Sequence, residues 1–199
     1  NLNRMQVLDF RMELNRQWLS TKTINYHVVA IRAFLKFVLK NDIDCISPDK
    51  LELSKTPPRE VHYLEEEEIE NILSAPGKLA TKNIEKQTRD IAILYMLYGT
   101  GLRVSELIKL KKSDIKIDSN QFSVIGKGSK LRAIFATKIA REKLQAYLNQ
   151  RKDNSPYLFT TVSVNWLGEH LSRNSIEDIV RTYAKLAGIN KKVTPHTLR

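Results

Sequence analysis

The stretch Tyr98-Gly-Thr-Gly-Leu-Arg-Val-Ser-Glu-Leu107 is the part of this 199-residue chain that says most about its fold. The apolar residues before it predict a buried helix that begins near Gln87 and stops at the glycines. A second helix is predicted from about 102 to 110. Because glycine lets the backbone turn sharply and approach a ligand closely, the stretch predicts two helices joined at a tight corner.

Arg103 is predicted in the first turn of that second helix, beside free backbone N–H groups and the positive end of the helix dipole. A guanidinium at such a place can bind two phosphate oxygens at once. Glu106 lies three residues further on, within reach to support the arginine. The same spacing is also typical of a helix corner with a surface Arg–Glu pair, and spacing alone does not decide between the two.

The chain after this corner predicts a small antiparallel sheet. Two strands are predicted over 122–125 and 131–135, joined by a glycine-bearing hairpin at 126–130, and residues 115–117 predict a third strand. Helical patterns lie on both sides of these strands. The predicted fold class is therefore mainly α with a small antiparallel β-sheet (α+β).

Lys127 stands between two glycines at the tip of the predicted hairpin, and Lys130 and Arg132 lie just beyond it. A hairpin tip can enter a groove, and a lysine there can donate a proton to a leaving oxygen. A solvated basic turn is the alternative reading of the same residues. A phosphate-binding P-loop is excluded because its glycine-lysine pattern does not occur.

The last residues, Thr194-Pro-His-Thr-Leu-Arg199, predict the start of a helix, since a threonine N-cap is followed by proline at the first helical position. His196 and Arg199 are three residues apart and share one helix face. Such a pair suits a pentavalent phosphate, whose equatorial oxygens the arginine neutralises while the histidine donates or accepts a proton. Taken alone, the pair is also compatible with a structural role.

The first part of the chain predicts a separate helical domain. Apolar residues recur at helical spacing from Ile24 to Leu39, after an N-cap at Ser20 or Thr21. Consecutive prolines at Pro57-Pro58 predict a stiff, extended connector. The predicted organisation is a helical domain over 1–56, a linker over 57–63 and a second domain over 64–199. Both tryptophans, Trp18 and Trp166, are expected in the core.

The charge balance favours a polyanionic partner. The chain carries 33 Lys and Arg against 22 Asp and Glu, a net charge of +11. Residues 103–132 alone hold 8 basic and 3 acidic side chains. Such a concentrated excess of positive charge indicates a nucleic-acid partner. The sequence shows no strongly basic amphipathic helix, which would have favoured a membrane surface instead. The single cysteine cannot form an internal disulfide, and the sequence shows no cluster of metal ligands. No cofactor is therefore expected, and an intracellular setting is the default.

Together these features resemble the tyrosine recombinases of the phage-integrase and Xer-like superfamily. Thr100-Gly-Leu-Arg-Val-Ser-Glu-Leu107 is similar to the first conserved box of that family, and Ile125-Gly-Lys-Gly-Ser-Lys130 to its β-hairpin lysine. Pro195-His-Thr-Leu-Arg199 is similar to the opening of its second box. The resemblance covers nearly all of Leu64–Arg199, and residues 1–56 resemble the helical core-binding domain more loosely.

The resemblance implies a role for each of these positions. Arg103 and Arg199 would bind the scissile phosphate, Lys127 would be the general acid to the leaving 5′ oxygen, and His196 would accept or donate a proton. Glu106 would be a supporting residue. The DNA contacts that we expect come from both predicted domains: Lys22, Arg32, Lys130 and Arg132.

The resemblance also implies partners and a setting. The partner would be double-stranded DNA, clamped between two domains and bound by a homo-oligomer, from a dimer to a tetramer in the synaptic complex, with no membrane involved. The expected location is the cytoplasm, at the nucleoid of a prokaryote or in association with a phage or mobile element.

The family's nucleophilic tyrosine and its second His/Trp position are expected beyond Arg199, so this chain is expected to bind DNA without cleaving it. Tyr147, Tyr157 and Tyr183 lack the family context of a nucleophile. Two alternatives stay open: a non-catalytic DNA-binding regulator on the same scaffold, and a type IB topoisomerase-like enzyme.

Overall fold

The structure is a computed structural model, which describes residues 3–58, 63–126, 131–163 and 167–199. The chain divides into two compact units, Asn1–Glu60 and Val61–Arg199. The described residues are mainly helical with one two-stranded antiparallel sheet, as predicted. The assignment of 57–63 as a linker between independent domains stays a prediction.

The first unit is built on two helices, α1 (Arg4–Arg16) and α2 (Thr21–Lys40). The Ser20 hydroxyl caps α2 by accepting a hydrogen bond from the Thr23 N–H at 3.2 Å. The buried apolar residues of this unit's cluster come from both helices and the following segment: Val7, Val28, Leu35 and Leu51. Few residues are fully buried here, so this unit presents much of its apolar surface to solvent.

Trp18 does not lie in the core, and the prediction for it is wrong. Its side chain is 95% exposed, and its backbone is left-handed with a φ of 57°. The residue ends the turn after α1, where the chain reverses toward α2. The turn geometry therefore decides where this side chain points, against its hydrophobicity. Trp166 lies outside the described residues.

The second unit contains six helices and both strands among its described residues. They are α3 (Glu66–Lys78), α4 (Ile84–Thr100), α5 (Val104–Leu107), β1 (Gln121–Ile125), β2 (Leu131–Phe135), α6 (Lys138–Gln150), α7 (Arg173–Leu186) and α8 (Pro195–Leu198). Helix α4 is buried along most of its length and packs against α3, α6 and α7. Because the corner carrying Arg103 follows directly from this central helix, the core fixes its position.

Two local predictions for this unit are wrong. Helix α5 is a single turn of four residues, shorter than the predicted span of 102–110. Ile115–Ile117 form no strand; both isoleucines pack individually against the core from a turn that follows a 3-10 helix at Lys112–Asp114. Alternating burial arises here from packing without a strand partner, and a sequence pattern cannot distinguish the two cases.

Gly99, near the end of α4, lies against the start of α6. A Cβ atom at this position would lie 2.7 Å from the Thr137 hydroxyl and 3.2 Å from the Ala140 Cβ. The Thr137 hydroxyl also caps α6, accepting from the Ala140 N–H at 3.2 Å. A side chain at residue 99 would therefore disturb both the packing and the cap.

We expect Gly99→Ala to lower the free energy of unfolding by about 1–3 kcal/mol, the usual cost of overpacking a well-filled interface. Gly77→Ala is the matched control, because a Cβ there meets no atom within 4 Å. That change lies inside a helix and should be neutral or stabilising by up to about 1 kcal/mol. Urea unfolding of the two variants measures the difference, and equal stabilities would contradict the close approach of α4 and α6.

A buried ionic cluster joins α4 to α7. The Asp90 carboxylate is fully buried and accepts from the Arg89 guanidinium at 2.7 Å, from Lys86 at 2.8 Å and from the Tyr183 hydroxyl at 2.9 Å. Arg89 also donates to the Thr160 carbonyl at 3.0 Å. Since each buried charge has a partner, the cluster fixes how α7 lies on α4 without leaving an isolated charge.

Candidate active site

The corner after α4 is shaped by Gly101, whose backbone is left-handed with a φ of 62°. Its N–H donates to the Leu97 carbonyl at 3.2 Å and closes the helix. A Cβ at residue 101 would lie 3.6 Å from the Arg199 Cγ. The glycine therefore permits the turn, and the Arg199 side chain lies close to it, at a distance where a Cβ would make an ordinary van der Waals contact.

Arg103 caps α5, and it is bound to Glu106 by two hydrogen bonds. The Arg103 backbone N–H donates to the Glu106 carboxylate at 2.8 Å, and its guanidinium donates at 3.1 Å. Arg132, the second residue of β2, donates to the same carboxylate at 2.6 Å. Glu106 is only 8% exposed, whereas the Arg103 side chain is 53% exposed. A buried carboxylate thus connects β2 with the arginine at the corner and holds that arginine toward solvent.

The same contacts keep Glu106 ionised. Burial alone raises the pKa of Glu106, but the hydrogen bonds from the Arg103 N–H and from the Arg132 and Arg103 guanidiniums outweigh it, so its pKa lies below the usual value. Because the folded-state pKa is depressed, the stabilisation is present above the unfolded-state pKa and is lost as the pH falls through the folded-state value.

We expect Glu106→Gln to lower the free energy of unfolding by about 1–3 kcal/mol at pH 7, since two guanidiniums and a backbone N–H lose a charged acceptor. The difference from the unmodified protein should shrink as the pH falls toward the depressed pKa of Glu106, because the carboxylate itself then becomes neutral. Urea unfolding at pH 7 and pH 3 measures it. Glu67→Gln on the exposed first turn of α3 is the control, and a Glu106→Gln deficit of equal size at both pH values would contradict the ion-pair account.

Helix α8 carries His196, and Arg199 follows directly after its last residue. The Thr194 hydroxyl accepts from the Thr197 N–H at 3.2 Å, and Pro195 occupies the first helical position, as the sequence predicts. Pro195 and Leu198 are buried. Their burial turns His196 and Arg199 outward, where both are exposed.

One groove brings Arg103, His196 and Arg199 together. It has a volume of about 880 Å³ and is bounded by the corner before α5, by one face of α7 and by the segment that leads into α8. Further basic side chains line it: Arg173, Arg181, Lys185, Lys191 and Lys192. Among the described residues of this lining, Glu177 is the one acidic side chain. The groove can therefore hold an anion of extended shape and high charge.

The three basic residues of α7 in this groove were missed by the sequence reasoning. Arg173, Arg181 and Lys185 recur at multiples of four residues, opposite a buried stripe that includes Ile176 and Tyr183. Helical periodicity of the basic residues was the signal that could have found them. What periodicity could not supply is that this face lies beside the Gly101 corner.

The other predicted site residues lie elsewhere or outside the described residues. Lys127 and Lys130 belong to the undescribed segment 127–130. Lys22 is exposed in the first turn of α2, and Arg32 lies 3.6 Å from Asp49; both belong to the first unit. Arg132 is engaged with Glu106 and does not line the groove.

Two of the tyrosines are held inside the core. Tyr147 is fully buried, and Tyr183 donates to Asp90 from a buried position. Burial raises the pKa of both hydroxyls, and for Tyr183 the neighbouring Asp90 carboxylate raises it further. Neither hydroxyl is therefore placed or activated to attack a substrate.

The described part of the chain holds no group of three or more His, Cys, Asp and Glu side chains arranged to hold a metal ion. Along the same residues, no helix is long and apolar enough to cross a membrane.

The model of the phage integrase family matches residues 62–199, and the chain belongs to that family. Its place there is among relatives of the Xer tyrosine recombinases. The chain is 36% identical over 195 residues to tyrosine recombinase XerA of Pyrococcus horikoshii, covering 97% of this chain and 62% of the relative. It is 33% identical over 202 residues to XerD of Oceanobacillus iheyensis, covering 100% and 66%.

The fold is likewise shared with a solved recombinase. The structure of the XerH site-specific recombinase bound to its difH substrate, a pre-cleavage complex, matches with a TM-score of 0.74 at 20% identity. That match covers 100% of this chain and 58% of the other. The chain thus spans 58–66% of the length of these proteins.

Proposed function

We propose that this chain carries the phosphate-binding part of a site-specific DNA recombinase that cleaves and rejoins strands through a 3′-phosphotyrosyl intermediate. The observation that supports it is the convergence of Arg103, His196 and Arg199 on one cationic groove. Two guanidiniums and an imidazole at one exposed site are what a phosphoryl transfer needs when a pentavalent phosphorane must be stabilised.

In this mechanism Arg103 and Arg199 bind the non-bridging oxygens of the scissile phosphate. A tyrosine hydroxyl attacks the phosphorus while the bond to the 5′ oxygen breaks. In this proposal the tyrosine lies outside residues 1–199. His196 accepts the tyrosine proton, and Lys127 donates a proton to the leaving 5′ oxygen. Glu106 supports the reaction indirectly, because it holds Arg103.

The substrate in this proposal is double-stranded DNA held by both units, with the α7 cations beside the scissile phosphate and the remaining contacts from Lys22, Arg32, Lys130 and Arg132. Strand exchange requires more than one active site, so the protein would act as a homo-oligomer on DNA, from a dimer to a tetramer. In this proposal the protein works in the cytoplasm, at the nucleoid of a prokaryote or in association with a phage or mobile element.

We expect DNA binding to weaken steeply with salt, because most of the contacts would be made to phosphates. Arg181→Ala, Lys185→Ala and Lys130→Ala should each reduce the slope of log K against log salt by about 1. Lys138→Ala on the exposed start of α6 removes the same charge away from the groove and should leave the slope as it is. Fluorescence titrations between low and moderate salt measure the slopes. If Lys138→Ala changed the slope as much as Arg181→Ala, the groove would not be the DNA site.

A further inference from the structure

Lys191 lines the groove but is held away from it by a separate set of contacts. Its ammonium lies 2.6 Å from the Glu68 carboxylate and 2.6 Å from the Tyr63 carbonyl oxygen, and 6.0 Å from the centre of the Tyr63 ring. The side chain of Lys191 is 33% exposed and that of Glu68 is 28% exposed. This ammonium is thus already surrounded by acceptors of its own unit.

The acceptor side of this ion pair is itself fixed. Glu68 lies in the first turn of α3 and accepts the Glu65 backbone N–H at 2.7 Å, which completes the N-terminal cap of that helix. Helix α3 packs against α4 and α7 in the core. Lys191 is therefore attached to a rigid part of the unit, which makes the pair worth more than a pair between two mobile surface side chains.

The lysine side of the pair leads directly to the site. Lys191 stands three residues before Thr194, the cap of α8, and Val193 between them is buried. Helix α8 begins at Pro195, directly after this segment, so the contacts that hold Lys191 and Val193 set where the helix starts. Whatever holds residue 191 thus limits where His196 and Arg199 can move.

We propose that the Lys191–Glu68 ion pair is a positioning device that aligns α8, and with it His196 and Arg199, for phosphate binding. Lys191 acts through α8 and is not one of the groove's phosphate contacts. The expected effect of the ion pair on DNA cleavage rests on the proposed function. The expected effect of the ion pair on the position of α8 does not depend on what the groove binds.

The neighbouring residue provides a matched control. Lys192 lines the same groove and carries the same charge, but it is exposed and forms no ion pair within the described residues. Lys191→Met and Lys192→Met each remove one positive charge, at neighbouring residues. A positioning role for Lys191 and a simple loss of groove charge predict different results for the two variants. A positioning role predicts an effect of the first change alone on α8, whereas a simple loss of groove charge predicts equal effects.

Hydrogen exchange followed by mass spectrometry over residues 189–199, without DNA, tests the proposal directly. We expect Lys191→Met and Glu68→Gln each to speed exchange about three- to tenfold, the double variant to add little to either, and Lys192→Met to match the unmodified protein. Lys191→Arg should restore protection. With all variants folded, equal exchange in Lys191→Met and Lys192→Met would overturn the proposal. Exchange in Glu68→Gln at the rate of the unmodified protein would also overturn it.

Cleavage assays with the protein of the full reading frame test whether the ion pair affects catalysis. At saturating DNA, Lys191→Met and Glu68→Gln should slow cleavage by similar factors. The Kd for DNA should stay within about twofold of the unmodified value, because neither side chain is proposed to contact the phosphate. A Kd raised by Lys191→Met but not by Glu68→Gln would make Lys191 a phosphate contact and overturn the positioning role. If the protein cleaves no DNA at all, the proposed function fails while the exchange experiment still decides the role of the ion pair.

Discussion

Replacing Arg103 or Arg199 with alanine in the full reading frame is expected to slow DNA strand cleavage by about 10²–10³-fold for each residue, with a far smaller loss of DNA affinity. The reason is that negative charge accumulates on the non-bridging oxygens as the phosphorane forms, so the guanidiniums contribute more in the transition state than in the bound substrate. The two arginines reach this site from different parts of the chain, one from the corner before α5 and one from the end of α8.

Single-turnover cleavage at saturating DNA, together with a binding titration, separates the two effects. Lys138→Ala is the control for the loss of a positive charge outside the groove, and it should cleave at the unmodified rate. Cleavage within a few-fold of the unmodified rate for both Arg103→Ala and Arg199→Ala would overturn their assignment.

The second large effect is expected at Lys127. If this lysine protonates the leaving 5′ oxygen, Lys127→Ala should slow cleavage of ordinary DNA by about 10²–10⁴-fold. A strand whose leaving atom is a 5′ sulfur needs no such proton, because a thiolate is a good leaving group. Lys127→Ala should therefore cleave the sulfur-substituted strand nearly as fast as the unmodified protein does.

Arg103→Ala is the control for this experiment, since it acts on the non-bridging oxygens and the sulfur substrate should not rescue it. Rescue of both variants, or of neither, would reduce Lys127 to a phosphate-binding cation. Rescue confined to Lys127→Ala separates proton donation from charge.

Local sequence signals predicted those parts of the fold that depend on backbone preferences. The glycines of the 99–101 corner, the Ser20 cap and the Thr194-Pro195 helix start each have a short-range physical cause, and the structure contains all three. Helix length was less predictable: α5 ends after one turn, although apolar residues continue beyond it.

The candidate site was only partly predictable for a different reason. Glu106 was expected to support Arg103, but its bond to Arg132 depends on β2 lying beside α5, which no spacing rule supplies. The ion pair between Lys191 and Glu68 spans 123 positions of the chain. Such long-range contacts arise from the packing of the core, so they become visible only when the helices are assembled.

The most direct test of the account is cleavage of a DNA strand whose scissile phosphate is replaced by a neutral methylphosphonate. Arg103 and Arg199 are proposed to neutralise negative charge on the non-bridging oxygens, and a methylphosphonate carries one negative charge fewer than a phosphate in both the ground state and the transition state. We expect the about 10²–10³-fold penalty of Arg103→Ala or Arg199→Ala to shrink to less than about tenfold for at least one of the two variants. An undiminished penalty for both variants on the neutral substrate would contradict the account.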